Sequence, residues 1–260
     1  MTTSTAIFDS RIEHWLEEQR MPWQQLIYKM TQANLDKHLD GRRGRLLDAG
    51  GGSGSESIPL AKDGYHVDIV DVSREMLAEA VRQATLTSVQ EQVAVHLADI
   101  RDIQRLFPAS SFDLILCHNV LQYTEDAPAV LKGLADSLKP SGLLSVVCMN
   151  RFSLAYRAAL PHGSLADALA QLDAPTTHGM LFDTTLLTYS ADEVGNMLKS
   201  AGCRVEKDYG IRCICDYWGD NESKLDPEIF EQLERLEFAL TDRYPYKLVA
   251  RYFQVIARKA

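Results

Sequence analysis

The chain has 260 residues, 46% of them hydrophobic and 24% charged, enough for one large α/β domain and too apolar for a disordered segment. A formal charge of −9 argues against broad nonspecific nucleic-acid binding, which draws its affinity from phosphate neutralisation by Lys and Arg. Apolar runs such as Gly142 to Met149 are too short to cross a bilayer, and Met1 to Ser10 has no basic flank before an apolar core, so the sequence predicts a cytoplasmic protein with no membrane partner.

Residues 1–40 read as a helical N-terminal cap. Ile12, Trp15 and Leu16, then Leu26, Met30, Ala33 and Leu35, recur at helical spacing on either side of Pro22. Arg42, Arg43 and Arg45 form a basic cluster, and Lys247, Arg251, Arg258 and Lys259 form another near the C-terminus. From Arg45 onward strands and helices alternate: strand 45–49, helix about 55–63, strand 66–71, helix 74–86, strands 93–97 and 112–117, helix about 127–138 and strand 142–149. That alternation predicts a mostly parallel sheet with helices on both faces, joined by right-handed crossovers. Residues 151–188 break the rhythm. They read as a helical insertion after the fifth strand, a lid over the acceptor pocket, with Leu165 to Leu172 at helical spacing and Pro161, Gly163 and Pro175 interrupting. Ser190 with Glu193 starts the next helix and Gly202 stops it; strand 203–209, a helix over 226–242 capped by Asp226, and a final strand from Tyr252 to Ala257 complete a seven-stranded domain spanning 41–260. The final strand reads as an edge strand. Five cysteines, an odd number, read as reduced core thiols, and Cys213-Ile214-Cys215 lacks a second ligand pair, so no metal site is predicted.

The segment Leu46-Leu47-Asp48-Ala49-Gly50-Gly51-Gly52-Ser53-Gly54 is the chain's most specific feature. Its glycines let backbone approach a ligand, and the helix beginning after them offers free N–H groups. Asp71, at the end of the next apolar run, has the placement of a carboxylate that accepts hydrogen bonds from both ribose hydroxyls. Asp48, directly before the glycines, suits a ligand whose nearby end is cationic and would oppose a pyrophosphate. A nicotinamide-dependent oxidoreductase is disfavoured on that ground.

Asp48, Gly50, Gly52 and Gly54 resemble motif I of the class I S-adenosylmethionine-dependent methyltransferases. The resemblance implies a Rossmann-like α/β domain and S-adenosylmethionine as cofactor, contacted by Asp48, Gly50, Gly51, Gly52, Asp71, Val72, Asp99, Ile100 and His118. Asp99 would receive the adenine amino group and Ile100 would meet the ring; Asp99 could equally cap the turn that follows. His118 and Asn119 follow the fourth strand, where open α/β sheets bind ligands. His118 could contact the cofactor, orient an acceptor, act as a base, or simply be a hydrogen-bonded strand-end histidine.

The stretches Gly210 to Tyr217, Tyr244-Pro245-Tyr246, Ala250 to Lys259 and Met149-Asn150-Arg151 resemble the bacterial tRNA methyltransferases that esterify 5-carboxymethoxyuridine at the anticodon wobble position. That resemblance implies a carboxylate acceptor in tRNA, with Arg212 and Arg251 meeting its carboxylate or phosphate and Tyr217, Tyr246 or Tyr252 stacking on a base. Alternatively the two arginines pair with Asp216, Glu222 or Glu237. The chain departs from that family at Ile27, where an arginine touching the cofactor is expected. Arg20 or a backbone contact then substitutes, or the acceptor differs: a small-molecule carboxylate or phenol. A non-catalytic cofactor-binding module would show the same glycines and acids. Oligomeric state is not legible.

Overall fold

A computed structural model describes residues 12–41, 43–160, 163–179 and 183–260. Met1 to Arg11 of the expected cap, Arg42 and Pro161 lie outside the described residues. Helix α1 (Ile12–Gln19) leads to α2 (Pro22–Asp36), whose proline occupies the first helical position, where no backbone N–H is needed. The alternating core follows as β1 (Arg45–Ala49), α3 (Ser57–Lys62), β2 (His66–Asp71), α4 (Arg74–Leu86), β3 (Val93–Leu97), α5 (Ile103–Leu106), β4 (Phe112–His118), α6 (Ala127–Ser137) and β5 (Leu138–Met149). Ser73 caps α4 by accepting from the Met76 N–H, and Asp126 caps α6 by accepting from the Ala129 N–H.

Next come α7 (Ser153–Ala159), α8 (Leu165–Ala170) and the antiparallel ribbon of β6 (Thr176–Gly179) and β7 (Thr184–Leu187). The chain re-enters the core with α9 (Ala191–Ser200), β8 (Cys203–Ile211), α10 (Pro227–Leu240) and β9 (Tyr252–Lys259). A complete capping box of Ser190 and Glu193 opens α9, as that sequence signature predicts.

The seven strands of the main sheet lie in the order β3-β2-β1-β4-β5-β9-β8. Pairs from β3 through β5 are parallel, and β9 runs antiparallel to both β5 and β8. The final strand is therefore interior, not an edge. Its alternating pattern hid the fact that both faces are covered: Phe253, Val255 and Ala257 join the core cluster of α6 and α9, while on the other face Ile256 joins the cluster that holds Leu35 of α2, and Gln254 donates to the Thr31 carbonyl of the same helix. The outer position belongs to β8.

The segment between β5 and α9 is pinned where it leaves and returns. Asn150 bridges to Tyr189, the Arg151 N–H donates to the Tyr189 carbonyl at 2.9 Å, and the Arg151 guanidinium donates to the Thr188 carbonyl at 2.7 Å and to Glu193 at 2.9 Å. Inside it, Leu165 and Leu169 have helical spacing yet are 76% and 71% exposed, because α8 has no apolar surface to lie on. The ribbon is an element that the interrupted apolar pattern did not reveal. Among the described residues no helix is long and apolar enough to cross a membrane.

Strand order reverses between β1 and β4, and the carboxyl ends of β1, β2, β3, β4 and β5 open on one edge of the sheet. Such an edge is where open α/β sheets hold ligands.

Candidate active site

The turn after β1 shows which glycines the protein itself requires. Gly50, Gly52 and Gly54 adopt φ of 75°, 52° and 73°, in the left-handed region. A Cβ on Gly50 would lie 2.5 Å from a Val120 methyl, and one on Gly51 would lie 2.3 Å from Asp48 Cγ. At Gly52 the nearest atom would be Met76 Sδ at 3.9 Å, so the protein leaves open space there. That space is a cradle which a ligand can enter against bare backbone. The Gly52 and Ser73 N–H groups donate to the two Asp71 oxygens at 2.9 and 2.8 Å, fixing the Asp71 carboxylate beside the cradle. Asp48, 3% exposed, stands behind the glycines. Burial pushes its carboxyl up to about 7 and the Glu56 charge adds to this, against a Ser57 hydrogen bond and His118. A buried acid poised near neutrality gains most from a neighbouring cation.

Helix α2 turns a polar stripe of Gln24, Tyr28 and Thr31 toward this edge, at the spacing of one helical face. Thr31 Oγ1 donates to Glu56 Oε1 at 2.8 Å, and Glu56 Oε2 lies 2.8 Å from His118 Nδ1. His118 Nε2 lies 2.7 Å from Ser145 Oγ, and the Gln254 amide donates to Ser145 Oγ at 3.0 Å and to the Thr31 carbonyl at 3.1 Å. Five residues from α2, the glycine turn, β4, β5 and β9 thus close a ring. Burial alone would raise the Glu56 carboxyl, but the His118 charge and the hydrogen bonds from His118 and Thr31 hold it below its ordinary value. An ionised carboxylate only accepts, so His118 Nδ1 bears a proton and donates it to Glu56. Both ring nitrogens are engaged, and His118 must give up a partner before it can take a proton from anything else. A cavity of ≈60 Å³ lies against the ring, lined in part by Tyr28, Leu35 and Pro59.

A second cluster lies over β9 and β8. Arg212 follows β8 at φ 60°, a strained conformation for a bulky residue. The Glu237 carboxylate of α10, fully buried, accepts the N–H groups of Cys213, Ile214 and Cys215 at 2.5, 2.8 and 2.7 Å and sets that bend. Burial raises the Glu237 carboxyl, and the three N–H groups work against that rise. The bend returns Asp216 onto Arg212, whose Nε and Nη2 donate to it at 2.7 and 2.5 Å; Arg251 Nη1 donates to the same carboxylate at 2.5 Å. Arg212 and Arg251 both lie over the Tyr252 ring, at 5.9 and 5.2 Å from its centroid. Arg157 of α7 is a third guanidinium, its pKa lowered to about 10 by burial and by the charge of Arg251. Burial would raise Asp216, but Arg212, Arg251 and Arg157 together hold it at about 2. Two of these cations hydrogen-bond the carboxylate and the third, Arg157, acts on it through its charge alone, and among the described residues Arg251 Nε is buried without an acceptor.

The structure thus brings Asp48, Gly50, Gly51, Gly52, Asp71, Val72 and His118 to one end of the edge, and Arg212, Arg251 and Tyr252 to the other. Asp99 and Ile100 follow β3 beside Asp71, since the Ala98 N–H donates to the Asp71 carbonyl. Asp99 caps its turn through the Arg101 N–H and is gripped by the Arg101 guanidinium at 2.9 and 2.6 Å; the Ile100 side chain is buried in the core. Tyr217 is tied through its hydroxyl to the Val249 carbonyl, and Tyr246 is half exposed. The two basic clusters read from the sequence do not form one face. Arg43 and Arg45 engage the Asp63 carbonyl and Asp68, Arg258 pairs with Glu206, and Lys259 with Asp136, all toward the amino ends of the parallel strands.

Sequence reasoning missed Gln24, Tyr28, Thr31, Glu56 and Arg157; of the acids it offered as partners for Arg212 and Arg251, Asp216 is the one that pairs with both. The first three had a signal: polar residues at helical spacing among Leu26, Ile27 and Met30. Ile27 itself packs on Val147 and Met149 in the core, so Tyr28 is the residue that turns to the site.

Residues 47–144 match the family model described as a methyltransferase domain. The tRNA 5-carboxymethoxyuridine methyltransferase of Escherichia coli K12 is 30% identical over 217 residues, covering 83% of this chain and 80% of that protein. Among solved structures, an S-adenosylmethionine-dependent methyltransferase from Mesorhizobium loti superposes with a TM-score of 0.59 at 20% identity, covering 87% of this chain and 96% of that one. The 1,6-didemethyltoxoflavin-N1-methyltransferase of Burkholderia thailandensis, solved with S-adenosylhomocysteine, superposes at 0.60 with 17% identity, covering 98% and 88%.

Proposed function

We propose, from the premise that the chain belongs to the class I S-adenosylmethionine-dependent methyltransferases, that it esterifies a carboxylate, with the carboxymethoxy group of a modified wobble uridine in tRNA as acceptor. The observation that carries this reading is the pair of guanidiniums, Arg212 and Arg251, on the single carboxylate of Asp216, with Arg157 of the adjacent helix α7 adding its charge, on the same sheet edge as the glycine cradle. A site with surplus cations, Arg212 buried and Arg251 and Arg157 half-buried, is suited to an anionic acceptor.

The open space at Gly52, the uncollapsed turn and the buried acid Asp48 fit S-adenosylmethionine, whose amino-acid end is cationic at its amine. In this reading Asp48 faces that amine, Gly50, Gly51 and Gly52 present backbone, Asp71 and Val72 meet the ribose, and Asp99 and Ile100 flank the adenine. When bound, S-adenosylmethionine supplies a methyl group on a sulfonium leaving group. Arg212 and Arg251 bind the acceptor carboxylate and orient it, and Tyr252 offers a ring face beside them. A carboxylate has no proton to remove before it attacks, so alignment and exclusion of water supply the acceleration. His118 then has a positioning role, holding Glu56 and the glycine turn in place. A tRNA acceptor puts the reaction in the cytoplasm.

A small-molecule carboxylate is the second reading. It is favoured by the surface arginines and lysines, which pair locally and point away from the site, and by the charge of −9. Transfer of a radiolabelled methyl group separates the two when bulk tRNA carrying 5-carboxymethoxyuridine and a small-metabolite extract are offered in parallel. Label entering tRNA and released by mild alkali supports the wobble ester; label confined to small molecules supports the second reading.

A further inference from the structure

The Asp216 cluster contains one more cation than the acceptor assignment uses. Helix α7 lies directly against it: Tyr156 and Tyr217 rings are 6.0 Å apart, and Ser153 Oγ lies 3.5 Å from the Arg251 carbonyl. Ser153 and Arg157 are four residues apart and share one face of α7, so the face that touches Arg251 carries Arg157. Asp216 is already saturated. Its Oδ1 serves Arg212 and Arg251, and its Oδ2 serves Arg212. Arg157 feels the charges of Asp216, Arg251 and Arg212, but among the described residues no carboxylate pairs with it as Asp216 pairs with the other two. The other acid close by, Glu237, is spent on the backbone N–H groups of Cys213, Ile214 and Cys215 and makes no ion pair with any of the three guanidiniums among the described residues. Arg157 is half-buried, so its charge is partly desolvated without a partner, and one further anion arriving at this point supplies the missing one. The cluster lies over β9 and β8, three strand spacings or roughly 14 Å from Asp48 on β1, on the acceptor side of the edge.

We propose that Arg157 is a third acceptor-binding residue, which with Arg212 and Arg251 forms a receptor for one carboxylate or phosphate and selects anionic over neutral acceptors. The proposal rests on the anionic-acceptor reading above, and it adds that the segment between β5 and α9 supplies part of the specificity.

The test compares wild type with Arg157→Gln and Arg157→Lys in three measurements: KM for tRNA carrying 5-carboxymethoxyuridine, Kd for S-adenosylhomocysteine, and Kd for methoxyacetate, the free carboxymethyl ether fragment. The expected result is a KM raised about tenfold or more in Arg157→Gln, the loss of one charge-assisted pair, with partial recovery in Arg157→Lys. Methoxyacetate binding weakens in parallel, and S-adenosylhomocysteine binding and the melting temperature stay unchanged. Unchanged KM and methoxyacetate Kd overturn the proposal. So does an equal loss of S-adenosylhomocysteine affinity, which would assign Arg157 to the cofactor carboxylate. If wild type does not methylate that tRNA, the wobble-uridine reading fails on its own, and the methoxyacetate comparison still decides whether Arg157 belongs to an anion receptor.

Discussion

Asp216→Asn keeps the shape of the side chain and removes the charge on which three guanidiniums converge. In the folded protein the Asp216 carboxyl stands at about 2, against an ordinary value of 3.8. At 1.36 kcal/mol per pH unit that difference corresponds to about 2 kcal/mol of stabilisation. Deleting the charge costs more than protonating it, because Arg212 is left 5% exposed without its bidentate partner, and breaking a buried pair typically costs about 3–5 kcal/mol. Urea denaturation at pH 7 is therefore expected to show the variant destabilised by roughly 2–5 kcal/mol. The pH dependence has a definite sign. The folded value lies below the unfolded one, so the contribution is complete above about pH 4 and is lost as pH falls through about 2. Between pH 7 and pH 3 the wild type gives up about half of it, while Asp216→Asn has nothing to protonate, and the gap between them narrows. A gap below about 1 kcal/mol at pH 7, the scale of an exposed ion pair, refutes the buried-cluster reasoning. So does a gap that is the same at pH 7 and pH 3.

Two further outcomes concern the cofactor half. Gly52→Ala is expected to cost about 1 kcal/mol in stability for its positive φ and to weaken S-adenosylhomocysteine binding severely, because its Cβ enters the cradle; Gly51→Ala is expected to lower the melting temperature far more, since its Cβ meets the Asp48 carboxylate. Calorimetry and thermal melting check both, and full cofactor affinity in Gly52→Ala would remove the ligand from this turn. Asp48, raised to about 7, contributes stability that is present below its ordinary 3.8 and lost as pH rises through about 7. A cationic ligand reverses that preference, so binding at pH 6 should release about one proton, read as a dependence of the binding enthalpy on buffer, and Asp48→Asn should abolish it. Equal proton release by both proteins would contradict the pairing.

Periodicity carried the fold well because the inner parallel strands β1, β2 and β4 are buried on both faces and read as near-continuous apolar runs, while β3, at the edge and partly exposed, is still an apolar run bounded by turns. The final strand was harder. An alternating strand with basic residues at its end fits an edge or an interior position equally, and only the fold decides that α6 and α9 cover one face while α2 covers the other. Helical spacing at Leu165 and Leu169 identified a helix and said nothing of its burial. At the site, Asp48 and the glycines share one turn and Asp71 ends the very next strand, where the Gly52 N–H reaches it, so they were legible. Glu56 was not, because its partners Thr31 and His118 are 25 and 62 residues away. Arg212 and Asp216 are adjacent on one bend, but Arg157 and Arg251 join them only through the packing of α7 and β9, which no local pattern encodes.

The most direct measurement is mass spectrometry of wobble nucleosides from tRNA incubated with the protein and S-adenosylmethionine. The account predicts that 5-carboxymethoxyuridine is converted to a species heavier by one methylene, and that mild alkali restores the starting nucleoside, as an ester requires. A methyl group that survives alkali, or one found at another nucleoside while 5-carboxymethoxyuridine stays unchanged, would contradict the assignment of the Asp216 cluster as the carboxylate receptor.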